Sequence, residues 1–438
     1  MTLVEFFEKD AIENICSSLI KKPDRVVLLG DNKKRMEAHA ERYQRILRDR
    51  GNDVAFIPQL VDRSSMQTIV DALSSVAQQY DDCVFDLTGG DDLFLVAAGI
   101  VAERYKDRNI QMHRLNLRNN SIVDVDQDGK TILESEAPAL SVEENIRIYG
   151  GDIDYFEPSS EEPCTLEKHK KDTKKTIRWD MNEDFRQDIN AMWEICRKNP
   201  GWWNKQISVL EEAESLNEQP DALTVTVPIQ QIRDAYERSG REFKLNQRFI
   251  ERLRRAGLLC AYTLDDDTFS VTFKDAQVKR CLTVEGQALE MKVFLIALEA
   301  QEKDDSKSYQ DVMNGVVIDW DGEIHDDATH FDTENEIDVV MMHGMIPVFV
   351  SCKNGSIKNI GKDELYKLDT VATRFGGKYA KKVLIATSLN NSPDANYLRQ
   401  RAKDMQIRLV EGTPDKETAF VDMTDEQLQK LVRTFWNA

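Results

Sequence analysis

Cysteine is scarce in this chain and follows no pattern. Seven cysteines (Cys16, Cys83, Cys164, Cys196, Cys260, Cys281, Cys352) are scattered over 438 residues. None share a C-x-x-C spacing, so neither a zinc site nor a disulfide framework is expected, and the thiols read as buried. No apolar run reaches the roughly 18 residues that a membrane span needs. The first residues, Met1-Thr2-Leu3-Val4-Glu5-Phe6, have neither the basic nor the apolar region of a signal peptide, so a cytoplasmic protein with no membrane partner is expected. Positive charge is in deficit: 58 Lys and Arg against 78 Asp and Glu give a net charge of -20. The overall field therefore repels nucleic acid, and a polynucleotide has to be held by a local basic groove or through bound metal ions. No G-x-G-x-x-G occurs, which argues against a dinucleotide cofactor. What the chain does have is 41% hydrophobic residues, enough for ordinary cores in about three domains.

Residues 4–21 read as a helix, and after Pro23 the run Val26-Val27-Leu28-Leu29 reads as a buried strand delivering the small polar loop Gly30-Asp31-Asn32. Helix 33–50, strand 54–57, helix 65–80, strand 83–87, helix 92–106 and strand 110–113 then alternate as βαβ units do. That order implies a mostly parallel, Rossmann-like sheet covered on both faces. Ligands in such folds bind at the carboxyl ends of strands, where two loops leave: Gly30-Asp31-Asn32 and Thr88-Gly89-Gly90-Asp91-Asp92. The two glycines let backbone amides approach a phosphate, the following helix adds its positive end, and the Thr88 hydroxyl can donate. A similar GGDD string occurs between two strands in palm-type cyclases and polymerases. Here the long, Ala-rich run Leu93 to Ala102 suits a buried helix, with Asp91 and Asp92 capping its start. Asp86-Leu87-Thr88-Gly89-Gly90 after a buried strand is similar to the D-x-T-G-G signature of CARF domains, the sensors of cyclic oligoadenylate in type III CRISPR defence.

Residues 119–160 read as two short strands around Asp126-Gln127-Asp128-Gly129, a break at Gly150-Gly151 and an acidic connector rich in Pro, Ser and Glu. Lys168 to Lys175 is a lysine cluster that reads as solvated linker. From 184 to 283 the order is helix 184–197, strand 223–227, helix 228–238, helix 245–255 and a hairpin turning at Asp265-Asp266-Asp267, the layout of a winged helix. Arg248, Arg252, Arg254 and Arg255 make its last helix basic, while the acidic wing points to a spacer or dimerisation module.

Glu334 to Lys353 reads as a hairpin of two short strands turning at His343-Gly344. Side chains alternate across a strand, so Phe349, Ser351 and Lys353 share one face and Val348, Val350 and Cys352 the other. A two- or four-residue turn sets Asp338 opposite Phe349 or Ser351, on the face of Lys353 in either case. Upstream, Gly286-Gln287-Ala288-Leu289-Glu290 opens a helix whose stripe is Leu289, Val293 and Ile296, with Glu290 at its margin. Downstream, 362–375 is helical by the spacing of Leu365, Leu368, Val371 and Phe375, stops at Gly376-Gly377, and is followed by strand 383–387. Helix acid, strand acid and a following strand ending in x-Lys resemble the PD-(D/E)xK nuclease fold. The acid that usually precedes x-Lys is Ser351 here. Glu336, on the face of Asp338, or Glu290 is left to supply the second carboxylate, and the Cys352 carbonyl another oxygen. His325, Asp326, Asp327, His330 and Asp332 form an acidic loop before these strands that reads as solvated.

The resemblance runs through nearly the whole chain in order: a CARF-like sensor at 1–155, a winged-helix-like connector at 184–283 and a PD-(D/E)xK-like nuclease at 284–438. It implies a homodimer that binds cyclic oligoadenylate, of which cyclic tetra-adenylate has the fitting symmetry, and then cuts DNA (single-stranded or supercoiled) or RNA with Mn²⁺ or Mg²⁺. In that reading Asp338, with Glu290 or Glu336, holds the metal, Lys353 orients water, Ser351 faces metal-bound water, and Gly30, Asp31, Asn32 and Thr88 to Asp91 form the ligand site. The alternative from another class is a ligand-controlled DNA-binding regulator with an inert nuclease-like domain.

Overall fold

The computed structural model describes every residue except 109, 117–120, 127–128, 157–174, 220, 303–305, 325–333, 414, 416 and 438. The turn residues Gln127 and Asp128, the lysine cluster up to 174, Cys164 and the loop from His325 to Asp332 thus lie outside the described residues.

The first sheet has seven strands in the order β3-β2-β1-β4-β5-β6-β7. β1 (Thr2–Phe6), β2 (Arg25–Gly30), β3 (Ala55–Leu60), β4 (Cys83–Asp86) and β5 (Gln111–Asn116) are parallel. β6 (Ser121–Val125) and β7 (Thr131–Glu136) extend one edge antiparallel. The helices α1 (Cys16–Lys21), α2 (Lys33–Asp49), α3 (Met66–Gln79) and α4 (Asp92–Arg104) make the crossovers. This is the Rossmann-like sheet expected, with one correction. Residues 4–21 are not one helix: the central strand β1 comes first, then a 3₁₀ turn at Ala11–Asn14 and the short α1. A strand flanked on both sides and buried along its whole length shows no alternation, so its apolar run merges with the helix that follows. Its one charged residue, Glu5, is 1% exposed; burial, and then Asp86 nearby, pushes its carboxyl well above the usual carboxylate range.

After α5 (Val142–Ile148), the two-residue strand β8 (Asp152–Ile153) leaves the first sheet altogether. It pairs antiparallel with the edge of a second, six-stranded sheet, Ile318↔Ile153 and Asp319↔Asp152. That sheet runs β16-β15-β14-β13-β12-β8, with β12 at Asp311–Asp319, β13 at Glu334–His343, β14 at Ile346–Ser356, β15 at Lys381–Ser388 and β16 at Ile407–Val410. Between the two lie α6 (Glu183–Cys196), α7 (Pro200–Ser215), α8 (Ile229–Arg238) and α9 (Gln247–Arg255). With them goes a three-stranded sheet of order β10-β11-β9, formed by β9 (Thr224–Pro228), β10 (Leu259–Leu264) and β11 (Thr268–Phe273). The winged-helix layout is therefore present. The expectation lacked α7, in which Asn199 caps the helix and Pro200 takes its first position, where proline costs nothing. The basic helix α9 spends part of its charge on itself, as Glu251 accepts from both Arg254 and Arg255 at 2.8 Å.

The remaining helices are α10 (Ala276–Leu282), α11 (Gln287–Glu299), α12 (Ile357–Ile360), α13 (Lys362–Gly376), α14 (Pro393–Asp404) and α15 (Asp425–Val432). α11 has no single stripe: Ala288, Leu289 and every residue from Met291 to Ala297 are buried, because α6 and α15 cover it from the side away from the sheet. The two faces of the six-stranded sheet feed two different cores. Val339, Met341, Val348, Val350 and Cys352 pack with α11 and with Trp193, Trp203 and Phe249 of the connector. Val340, Met342 and Phe349 pack with Leu365, Leu368 and Phe375 of α13, and that core also takes in Ile12 and Ile15 beneath the first sheet. Of the described cysteines, Cys260 is exposed, against expectation, and the others are buried free thiols.

Candidate active site and ligand loops

The hairpin of β13 and β14 has a two-residue turn, Gly344-Met345, one residue later than expected, with His343 paired to Ile346 and Gly344 at φ +59. The strands are also longer than expected, because both are buried on two faces over most of their length. The ladder runs back to Val339↔Val350, and one step further Asp338 meets Ser351, one of the two registers considered. There the strands part, and polar side chains gather in the fork. Asp338 Oδ2 accepts from the Cys352 amide at 2.6 Å and from Ser351 Oγ at 3.2 Å. Lys353 Nζ lies 3.8 Å from the same oxygen and 3.3 Å from Glu364 Oε2. Burial pulls the Lys353 ammonium down, but Asp338 and then Glu364 outweigh it and leave the group above the usual lysine value. The group of Cys352 that reaches Asp338 is its amide, while its thiol faces the core.

Glu290 approaches from α11. Burial, then Asp338, then Glu336 push its carboxyl well above the usual range, against the smaller opposing pull of Lys353 and Lys367. Glu336 lies exposed beside Asp338 in the same narrow pocket, which is completed by Ile337, Ser351, Glu364, Lys367 and Leu368. Among the described residues no three His, Cys, Asp or Glu side chains are drawn together closely enough to cage an ion unaided. The donor set still fits a hard divalent cation, being carboxylate oxygens from separate elements whose mutual repulsion a cation relieves. Sequence reasoning missed Glu364 and Lys367. A signal for both existed: Glu364 stands four residues before the buried Leu368, and Lys367 follows three after Glu364, so both flank the face that α13 lays on the sheet.

A large cavity, about 1740 Å³, lies away from this fork, between the segment from Glu8 to Glu13 and residues 377–382 and 399–413. Part of its positive charge is already paired, Lys378 with Glu13, Lys382 with Asp369 and Arg399 with Glu411, at 2.6–2.7 Å.

In the first sheet, β3, β2 and β1 follow one direction and β4 crosses to the other side of β1, which makes the β1/β4 border the switch point. Both expected loops open there, Gly30-Asp31-Asn32 after β2 and Thr88 to Asp91 after β4, with the extension of β1 between them. Asn32 caps α2 by accepting from the Arg35 amide at 3.0 Å, Asp31 is exposed, and Gly30 is packed so that a Cβ there would meet Met36 Sδ at 2.8 Å. Thr88 Oγ1 accepts from the Leu115 amide at 2.9 Å, and Asp91 caps α4 by accepting from Phe94 at 3.1 Å. The Gly90 amide is already engaged, donating to Glu8 Oε1 at 3.0 Å. Arg63 lies 3.3 Å from Glu8 and 3.5 Å from Asp91. Neither Glu8 nor Arg63 was anticipated; Glu8 fell inside the stretch read as helix.

A Rossmann-like sheet with glycine loops at its switch point, followed by a sheet whose fork joins a strand acid, a lysine and a helix acid, defines a CARF-like fold leading into a PD-(D/E)xK-type endonuclease. Residues 277–429 match the family model of the Card1-like endonuclease domain, and an endonuclease domain of this kind requires a divalent cation. The chain is also similar to protein VC1899 from Vibrio cholerae, with a TM-score of 0.69 at 15% identity over 100% of this chain and 98% of that one. It is likewise similar to Can2 from Sulfobacillus thermosulfidooxidans, solved with cyclic tetra-adenylate (cA4), with a TM-score of 0.62 at 15% identity over 100% of this chain and 99% of that one. At that identity both share the fold with this chain. No curated protein matches the sequence. Among the described residues no helix is long and apolar enough to cross a membrane.

Proposed function

We propose that this chain is a cytoplasmic, cyclic oligoadenylate-activated nuclease of type III CRISPR antiviral defence. Its units are a sensor at 1–155, a connector at 184–283 and the nuclease at 284–438. The observation that carries the reading is the fork of Asp338, Ser351 and Lys353 inside the segment that matches the Card1-like endonuclease domain. The chain's likeness to Can2, which was solved with cA4, supports cA4 as the messenger. Thr88, Gly89, Gly90 and Asp91, with Gly30, Asp31 and Asn32 across β1, are the residues assigned to its phosphates. A ring of four equivalent phosphates is gripped evenly by two copies of the same loops about a two-fold axis, so the receptor is a homodimer. The exposed Leu95, Val96 and Ile100 on α4, directly after the Gly89-Gly90 loop, give that dimer an apolar face to close.

In the nuclease, Asp338 with Glu290 and Glu336 would hold the cation, Mn²⁺ or Mg²⁺, which lowers the pKa of water and neutralises charge on the scissile phosphate. Asp338 is fixed for this by the Cys352 amide and the Ser351 hydroxyl, and it lines the pocket. Lys353 stays charged between Asp338 and Glu364, ready to orient water or meet a phosphate oxygen. Glu290, whose carboxyl burial, Asp338 and Glu336 raise, would be ionised to serve as a ligand. Substrate is DNA, single-stranded or supercoiled, or RNA. A DNA-binding regulator is less favoured, since the basic face of α9 is partly neutralised by Glu251.

The test incubates plasmid, single-stranded DNA and RNA with the protein, Mn²⁺ and a panel of cyclic oligoadenylates, and titrates cA4 by calorimetry. Cutting that depends on cA4 and one ring per two chains support the reading. No cutting of any substrate, or one ring per chain, rejects it.

A further inference from the structure

The strand position that normally carries an acid before x-Lys holds Ser351, leaving the fork one carboxylate short beside its lysine. Glu364, in the first turn of α13, stands at that place from a different element. Its Oε2 is 3.3 Å from Lys353 Nζ, closer than Asp338 Oδ2 at 3.8 Å. It lines the same pocket as Asp338, Glu336 and Ser351, and its side chain is 31% exposed, so it can turn. The placement follows from the helix: Leu365 and Leu368 are buried under the sheet, and the residue four before Leu368 must sit over the fork. Gly361 at φ +82 redirects the chain just before the helix starts, which aims its first turn at the end of β14.

We infer that Glu364 supplies the carboxylate that Ser351 cannot: it anchors Lys353 in the metal-free protein and becomes a ligand of the divalent cation together with Asp338. This rests on the nuclease reading, deepens it, and adds α13 to the elements that build the metal site. An acid on a helix instead of a strand also makes the site depend on where α13 lies.

Mn²⁺ binding to the full-length protein, followed by calorimetry and by the paramagnetic resonance of free Mn²⁺, tests it without reference to cutting. Glu364→Gln keeps size and removes charge, and Mn²⁺ affinity is expected to fall at least about tenfold with unchanged melting in chelator. The same fall is expected in a Lys353→Met background, where the ion pair no longer exists. Affinity within about twofold of the parent in that background would mean that Glu364 acts only through Lys353, and overturns the inference. If Glu364→Gln melts lower, Glu364→Asp is read instead: weaker Mn²⁺ binding supports the assignment and unchanged binding overturns it. Asp338→Asn separates the two levels of argument. Lost binding there with none lost in Glu364→Gln overturns Glu364 and leaves the nuclease; absence of Mn²⁺ binding in the parent overturns both.

Discussion

Replacing Glu8 by glutamine perturbs the ligand loop with the least damage to the fold. In the free protein the Gly90 amide donates to Glu8 Oε1 at 3.0 Å, so a phosphate that takes this amide first has to move the carboxylate aside. A hydrogen bond to a charged acceptor contributes roughly 1.5–3 kcal/mol and one between neutral groups roughly 0.5–1.5 kcal/mol, so glutamine is displaced at about 1 kcal/mol less. The displaced carboxylate also stays nearby, and two unit charges about 8 Å apart repel by roughly 2 kcal/mol at an effective dielectric near 20. Glu8 is 19% exposed and has Arg63 at 3.3 Å, which reduces that second contribution to about half. Together these give about 2 kcal/mol, roughly thirtyfold tighter cA4 binding for each loop the ring meets. Calorimetric titration of cA4 into Glu8→Gln and the parent protein, in chelator so that nothing is turned over, measures it directly. Equal or weaker binding by Glu8→Gln refutes the competition between carboxylate and phosphate.

Asp338→Asn and Lys353→Ala should each lower Mn²⁺-dependent cleavage by roughly 10²–10⁴-fold while cA4 binding is unchanged; a gel assay with either variant cutting at the parent rate rejects the site. Glu290 has its carboxyl raised by burial, Asp338 and Glu336, so protons compete with a cation for it more strongly than for an ordinary carboxylate. Mn²⁺ affinity should therefore rise with pH, with proton release, and Glu290→Gln should flatten that rise; calorimetry in buffers of differing ionisation enthalpy measures both, and an equal slope in the variant counts against Glu290. Gly90 has φ +97, and a Cβ on it would lie 2.5 Å from Phe94 Cδ1, so Gly90→Ala should cost roughly 2–4 kcal/mol of stability. Denaturant unfolding checks this, and an unchanged midpoint would contradict the strained turn.

The sequence made the parallel sheet legible because three of the four crossover helices carry their own caps, Asn32, Ser65 and Asp91. β1 was illegible for the reason that makes it central: a strand buried on every side has no periodic signature. The hairpin was legible from its turn signal, but its register stayed open between two, because Gly344, which alone supplies the positive φ of the tight turn, takes the first turn position and not the second. Asp338 and Lys353 were legible because a charge in an apolar strand stands out by alternation. Glu364 left only the signal of standing four residues before Leu368, which is easily passed over because acids are common in the first turn of helices, where they also favour the dipole. Glu8 carried no local signal at all, since its partner amide lies 82 residues away.

The way the first sheet is fastened to the nuclease limits how this chain can be recombined. Asp10 accepts from the Lys378 amide at 2.9 Å and Glu13 from the Tyr379 hydroxyl at 2.6 Å, just past the end of α13. Asn145 donates to the Phe375 carbonyl at 2.7 Å, and the Leu140 amide to the carbonyl of the hairpin's Gly344 at 2.9 Å. β8 then closes the edge of the nuclease sheet from the other side of the chain. A graft that exchanged residues 1–155 for another Rossmann-like module would strip the nuclease of an edge strand, of acceptors at Lys378 and Tyr379, and of half a shared core. To fold, the donor module has to bring its own equivalents of Asp10, Glu13, Asn145 and β8, so the unit of inheritance here is the pair of sheets with its seam, and sensors can be traded between such chains only together with that seam.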